Sequence, residues 1–106
     1  MADSNDIVQE IGFETGSIPE NVIYVGKKPT MNYVLAVVTQ FNNGASQVTI
    51  KARGRAIGSA VDVAEITRNK FVADLRKPQV NIESENLTNE DGTKSTVSSI
   101  QIVLHK

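Results

Sequence analysis

Two lysines in a predicted loop are the first residues whose placement suggests chemistry. Lys27 and Lys28 lie in the stretch VGKKPTMNYV, after an apolar run and directly before Pro29, where a helix is predicted to begin. Positive charge at a helix N-terminus opposes the helix dipole and costs about 0.3–1 kcal/mol. The backbone N–H groups at that end favour phosphate and other anions. We therefore predict that the two lysines serve an anionic partner, at a small cost to folding.

A second basic cluster, KARGR, lies where the next predicted strand ends. Alternation along residues 46–53 places Lys51 and Arg53 on one face of that strand, and Arg55 follows two residues later. Arginine presents a planar fork of donors that fits phosphate oxygens. Gly54 allows the backbone to approach a surface closely. Taken alone, these residues also fit an ordinary solvated rim that carries surface ion pairs.

Catalytic chemistry has little support in the composition. The chain has no cysteine, and its one histidine, His105, stands next to the last residue. These counts exclude a thiolate metal site, a cysteine nucleophile and a histidine-dependent triad. Asp62 and Glu65, three apart on a predicted helix, are interpreted as solvated surface. We predict no enzymatic activity, no metal and no cofactor. A nuclease is the enzymatic alternative, and it would need a convergent acidic or histidine cluster.

Charge divides the chain into two parts. Residues 1–20 hold five acidic side chains and no Lys or Arg, which leaves eleven basic and seven acidic side chains in residues 21–106, a net charge of +4. This asymmetry is typical of a nucleic-acid-binding body with an acidic tail, and it also fits a merely solvated tail. We expect residues 1–20 to be flexible or peripherally packed, and residues 21–106 to form a single domain.

No apolar run approaches the length of a membrane span, and the first residues lack the apolar core of a signal peptide. We expect a cytoplasmic protein that has no membrane partner and no small-molecule substrate.

Hydrophobic periodicity predicts the order β-α-β-α-β-β. Strands are predicted at residues 21–26, 46–53, 79–87 and 95–105, and the last two form a long hairpin around TNEDGTK. Helices are predicted from Pro29 to Asn42 and over residues 55–71. The expected buried stripe of the first helix is Met31, Val34, Leu35, Val38 and Phe41, and that of the second is Ile57, Ala60, Val61, Ala64 and Phe71.

This order predicts a two-layer α/β sandwich: a mixed four-stranded sheet with both helices on one face. Both basic loops then lie at the C-terminal edges of parallel strands, where ligands of open α/β sheets bind. The hairpin is a candidate arm that reaches into a groove of a duplex. Because Lys94 stands at its tip among acidic residues, we predict that the arm binds weakly. Phe71 either is exposed as a protein contact or caps the core.

The segments VGKKPTMNYVLAVVT, IKARGRAIGSAVD and EITRNKF, with the hairpin ending in TVSSIQIVLHK, resemble the Alba family of archaeal chromatin proteins. The resemblance covers about residues 21–106. It implies the same fold, a homodimer, and binding to double-stranded DNA and to RNA without strong sequence preference.

The resemblance also implies residue roles. Lys27 and Lys28 match the paired lysines that meet nucleic acid and can be acetylated. Phe71 matches a phenylalanine at which neighbouring dimers associate, and the hairpins act as arms. The predicted nucleic-acid-binding residues are Lys27, Lys28, Asn32, Lys51, Arg53, Gly54, Arg55 and Lys94.

Two departures from the family pattern predict weaker and more salt-sensitive binding. The hairpin tip carries Glu90 and Asp91 where strong binders tend to carry arginine, and the isoelectric point is about 5.8. A module acting mainly on structured RNA, a DNA-binding regulator with some sequence preference, and a dimer with no nucleic-acid role are the alternatives.

Overall fold

A computed structural model describes residues 21–106, and the predicted acidic leader, residues 1–20, lies outside them. The described elements follow the predicted order. They are β1 (Val22–Tyr24), α1 (Thr30–Asn42), β2 (Gln47–Arg53), α2 (Ala56–Ile66), a π-helical turn (Thr67–Phe71), β3 (Gln79–Thr88) and β4 (Lys94–His105).

The four strands form one mixed sheet in the order β1-β2-β4-β3. β1 and β2 are parallel, with Ile23 opposite Ile50, whereas β4 pairs antiparallel with both β2 and β3. α1 packs over β1 and β2, and α2 packs over β2 and β4. The predicted α+β fold is therefore confirmed. One sheet face packs on the helices. The other carries exposed and half-buried side chains together with the buried Val22 and Val103.

The buried face of α1 differs from the predicted stripe. Tyr33 and Val37 are buried along with Val34 and Phe41, whereas two members of the predicted stripe, Met31 and Leu35, are 43% and 54% exposed. Residues 33–38 are apolar almost without interruption, so more than one stripe satisfies helical periodicity. The contacts of the Tyr33 hydroxyl, described below, are part of what decides the orientation.

The second helix is shorter than predicted. α2 ends at Ile66, and the chain then widens into the π-helical turn, in which the N–H of Val72 donates to the carbonyl oxygen of Thr67 at 2.8 Å. Ala60, Val63 and Ala64 are buried, whereas Val61 and Phe71 of the predicted stripe are 41% and 47% exposed. A π-turn inserts a residue into the helical repeat, so a 3.6-residue period misplaces Phe71, which lies beyond Thr67. Val61 precedes the turn, and Val63 is buried in its place.

Within residues 21–106, neither helix has the length and apolarity that crossing a membrane requires.

Candidate nucleic-acid interface

The loop that carries the paired lysines is fastened to α1 by one buried side chain. Tyr33 is 1% exposed, and its hydroxyl oxygen accepts hydrogen bonds from the backbone N–H groups of Gly26, at 3.0 Å, and Lys28, at 3.2 Å. These bonds hold both ends of the Gly26–Lys28 segment to the helix. The backbone of Lys27 and Lys28 is therefore ordered before any ligand binds.

The N-terminus of α1 has neither a capping side chain nor an acidic residue of its own. Pro29 stands at the N-cap and makes no side-chain capping bond, and the first turn contains no acidic residue. Asn32 lies in this first turn, where its backbone N–H donates to the carbonyl oxygen of Pro29 at 3.0 Å. The helix dipole and the lysine charges therefore add at the same place, which favours an anion there.

The second basic loop repeats this design at the start of α2. Arg53 ends β2, Gly54 follows with φ of +55°, and Arg55 is the N-cap without a side-chain capping bond. The positive φ is what requires glycine, because other residues are strained in that conformation. The Gly54 N–H donates to the carbonyl oxygen of Ser98 at 2.8 Å, which ties the turn to β4.

The sheet register places the two loops at the same edge. Tyr24 is opposite Lys51, and the Val25 N–H donates to the Lys51 carbonyl oxygen at 2.8 Å. The chain leaves β1 at Gly26, level with the last residues of β2. Lys27 and Lys28 therefore share one end of the sheet with Arg53, Gly54 and Arg55.

Lys51 and Arg53 themselves lie on the sheet face opposite the helices, because Ala52 between them is buried in the core. Beside them is Tyr24, which is 38% exposed, with the Lys51 Nζ 5.9 Å from the centre of its ring. These three side chains line a cleft of about 460 Å³ on the open face. Tyr24 alternates with the buried Ile23 and Val25, and this alternation is the signal in the sequence that its side chain faces outward.

Arg53 has a partner that the sequence did not reveal. Its Nε lies 3.5 Å from Oε1 of Glu85 on β3, and both side chains are partly exposed. The two residues are 32 positions apart and meet only because β4 lies between β2 and β3.

The β3–β4 hairpin extends beyond the edge where the basic loops lie. Arg53, the last residue of β2, is opposite Ser99, whereas the β3–β4 pairing continues to Lys94 opposite Thr88. Five further residues of β4 correspond to roughly 17 Å of strand. The predicted arm therefore projects from the same end of the sheet as the basic loops, with the exposed Lys94 at its far end.

The arm's tip is a hydrogen-bonded turn. The Thr93 hydroxyl and backbone N–H both donate to Oδ1 of Asp91, at 2.7 and 3.0 Å, and they hold the pKa of that carboxyl below its usual range. Gly92 has the positive φ, +89°, that the turn requires. Asp91 is therefore a fixed negative charge at the tip, consistent with the expectation of a weak arm.

Phe71 is the last residue of the π-helical turn and is 47% exposed. Before it, the Arg68 Nη1 pairs with Oε2 of Glu65 at 2.7 Å across α2 and the turn. An aromatic ring exposed among charged residues is typical of a protein contact.

The described residues, 21–106, contain no group of three or more His, Asp or Glu side chains arranged to hold a metal ion.

The fold and the basic edge define a class: small two-layer α/β domains whose strand-to-helix loops present cations beside a projecting hairpin. The Alba family model matches residues 21–84. The chain is 60% identical over 87 residues to "DNA/RNA-binding protein Alba" of Thermoplasma volcanium, covering 82% of this chain and 97% of the relative. It is 62% identical over 86 residues to the protein of the same name from Picrophilus torridus, covering 80% and 94%.

Solved structures agree with these relationships. "Alba from Thermoplasma volcanium" superposes with a TM-score of 0.76 at 59% identity, covering 81% of this chain and 100% of that one. ALBA1 from Trypanosoma brucei, 24% identical, shares the fold with a TM-score of 0.60, over 83% of this chain and 70% of that one. The chain belongs to the Alba family.

Proposed function

We propose that this protein is a non-enzymatic nucleic-acid-binding chromatin protein that binds double-stranded DNA and RNA as a homodimer. The observation that carries the proposal is the basic edge, where two uncapped helix N-termini and two cationic loops lie at one end of the sheet. Relatives about 60% identical are named DNA/RNA-binding proteins, which supports the same ligands here.

The proposed contacts are mainly electrostatic. Lysine and arginine side chains neutralise phosphates and release counterions, while Gly54 and Asn32 offer close backbone approach and an amide donor. Lys94 adds a contact from the arm, which the neighbouring Glu90 and Asp91 weaken. The proposed phosphate-binding set is Lys27, Lys28, Asn32, Lys51, Arg53, Gly54, Arg55 and Lys94.

The homodimer is supported by the outer strand of the sheet. β3 lies at the sheet edge, and its Val80 and Ile82 are 55% and 76% exposed on the side that faces the helices. Open strand edges with apolar side chains favour pairing with another chain. A second copy that covers this strand would bury both residues and bring a second basic edge into the same particle.

Phe71 is the proposed contact between neighbouring dimers on nucleic acid. Its ring is half-exposed at the end of the π-helical turn. A contact that forms only when dimers lie side by side would make coating of a duplex cooperative.

Lys27 and Lys28 are proposed as acetylation sites, because acetylation removes the charge and so weakens phosphate binding. We place the protein in the cytoplasm, associated with the chromosome.

A role directed mainly at RNA is the second candidate, and Tyr24 is the observation that favours it. An exposed ring beside a lysine can stack with an unpaired base. Duplex DNA offers no such base, so a preference for RNA with unpaired loops would support this candidate.

The deciding experiment is a titration of the full chain against duplex DNA and structured RNA at several salt concentrations, with the particle mass measured alongside. We expect a dimer whose affinity falls steeply with salt. The Lys27→Gln/Lys28→Gln variant should bind roughly tenfold more weakly per lost phosphate contact near 0.1 M salt, with a shallower salt slope.

The matched control is Lys106→Gln. The Lys106 N–H donates to the Ser46 carbonyl oxygen, at the opposite end of β2 from Arg53, so this variant loses a lysine far from the basic edge. We expect near wild-type binding. Equal losses in both variants would show a diffuse charge effect, and no binding by the wild type at low salt would reject the function.

A further inference from the structure

We propose that Glu85 competes with phosphate for Arg53, and so lowers the affinity of this chain for nucleic acid. The inference rests on the function proposed above and concerns one contact within the basic edge. It identifies an affinity-setting residue that lies outside the cationic loops, on the hairpin strand β3.

The carboxylate lies at the Nε edge of the Arg53 guanidinium, which is one of the edges at which a phosphate can bind. Glu85 Oε1 lies 3.5 Å from Arg53 Nε, in an open cleft on the face opposite the helices. The two side chains are 37% and 59% exposed, so the pair is accessible to solvent and to a ligand. A phosphate that approaches this guanidinium meets a negative charge already held there by the sheet.

The charges around the cleft strengthen this effect. Across β4 from Arg53, opposite Ser99, lies Glu83, which also lines the cleft. Lys51 and Arg53 are thus matched by two carboxylates, and the cleft lining has no net charge. Lys27 and Lys28, in the loop after β1, are not among the residues that line this cleft.

Competition has a characteristic effect on the salt dependence. A phosphate that binds a free arginine releases counterions, so affinity falls with salt. A phosphate that binds Arg53 at its Nε edge displaces Glu85, whose carboxylate then gains counterions of its own. Arg53 therefore contributes less to both the affinity and the salt slope than an unpaired arginine would.

The test is a double-mutant cycle in the full chain, with duplex DNA as the probe. Glu85→Gln keeps the side-chain shape and removes the charge. We expect it to tighten binding about two- to fivefold, the range that corresponds to an exposed ion pair. The salt slope should steepen by up to about one unit for each arginine that engages a phosphate.

Two controls separate competition from general charge. Glu83→Gln removes an equal charge from the same strand and cleft, without the ion pair, and should tighten binding less. Arg53→Gln/Glu85→Gln has the net charge of the wild type. When Arg53 is already replaced, adding Glu85→Gln should raise the affinity no more than Glu83→Gln raises it in the wild type. The competition model is wrong if Glu85→Gln raises the affinity as much in the Arg53→Gln background as in the wild type. It is also wrong if Glu85→Gln raises the affinity no more than Glu83→Gln does.

If the Arg53–Glu85 ion pair instead braced the arm, Glu85→Gln would change the affinity in the opposite direction. Glu85 is opposite Val97, at the base of the arm, and a brace there would make Glu85→Gln bind more weakly, which would overturn the inference. In the unmutated chain, the NMR signal of the Arg53 Nε–H should shift when duplex is added, and an unchanged signal would also overturn it. Wild-type binding at low salt in the same titration tests the proposed function separately.

Discussion

The chemistry of the basic edge depends on a few side chains that are not themselves basic. The Tyr33 hydroxyl oxygen accepts hydrogen bonds from two backbone N–H groups of the lysine loop. Gly54 has the positive φ that allows the chain to turn from β2 directly into α2. Both residues fix the backbone from which the cations extend. A cation on a fixed backbone loses less conformational entropy on binding than one on a mobile loop.

Tyr33→Phe tests this positioning role. The substitution keeps the buried ring and removes the acceptor of both N–H groups, so we expect a loss of about 1–2 kcal/mol in the free energy of unfolding. We also expect roughly threefold weaker duplex binding, because the lysine loop must be ordered on binding. Urea unfolding and the duplex titration measure the two effects.

Tyr24→Phe is the matched control, since it removes a tyrosine hydroxyl from the open face and should leave stability nearly unchanged. Wild-type stability and binding in Tyr33→Phe would mean that the loop is held by other contacts.

At the scale of elements, two irregular features orient functional groups. The hairpin continues about five residues beyond β2, which carries the arm past the basic loops. The π-helical turn ends α2 and leaves Phe71 exposed, although a continuous helix would extend the predicted buried stripe to it. π-turns often occur at functional sites. Here the turn leaves an aromatic residue, Phe71, exposed on the surface.

Phe71→Ala should therefore affect assembly and not folding. Because the ring is 47% exposed, we expect the unfolding free energy to change by less than about 1 kcal/mol. We expect cooperative coating of long duplex DNA to be lost, measured as a flatter binding isotherm, while affinity for a duplex that holds one dimer stays the same.

Leu35→Ala removes a comparably exposed apolar side chain from α1 and is the control. Cooperativity that survives in Phe71→Ala would assign the contact between dimers to another surface.

For the whole molecule, the sheet order leaves one strand outside the cover of the helices. α2 packs over β2 and β4, and β3 lies beyond them with Val80 and Ile82 exposed. The single chain therefore presents an apolar strand edge and a basic edge. A symmetric pair would cover the first and duplicate the second.

Ile82→Lys should abolish the dimer, because it places a charge on the strand that the partner is proposed to cover. We expect the particle mass to fall to that of one chain and duplex binding to weaken strongly. Asn81→Lys adds the same charge to the neighbouring residue on the opposite sheet face and should remain dimeric. If the Ile82→Lys variant keeps the mass of a dimer, the dimer interface does not involve this part of β3.

Sequence patterns predicted much of this molecule, and their failures have physical causes. The alternation along residues 46–53 predicted which side chains share a face of β2, and Val48, Ile50 and Ala52 are the buried ones. The helix end at Asn42 and the turn in TNEDGTK were also predicted, and Gly44 and Gly92 have positive φ at these places. The stripe of α1 was misplaced because its apolar residues run nearly all round the helix. In α2 the buried face includes Val63 instead of the predicted Val61, and the prediction fails at Phe71 because the π-turn breaks the helical repeat.

By itself, the sequence determined which residues are cationic, the order of the strands and helices, and the family to which the chain belongs. These follow from local periodicity, turn residues and motifs, all of which are short-range properties. Only the tertiary structure decided that Tyr33 holds the lysine loop, that Tyr24 faces outward beside Lys51, and that Glu85 meets Arg53. The Arg53–Glu85 contact depends on which strands are neighbours in the sheet, and strand order is set by packing of the whole domain.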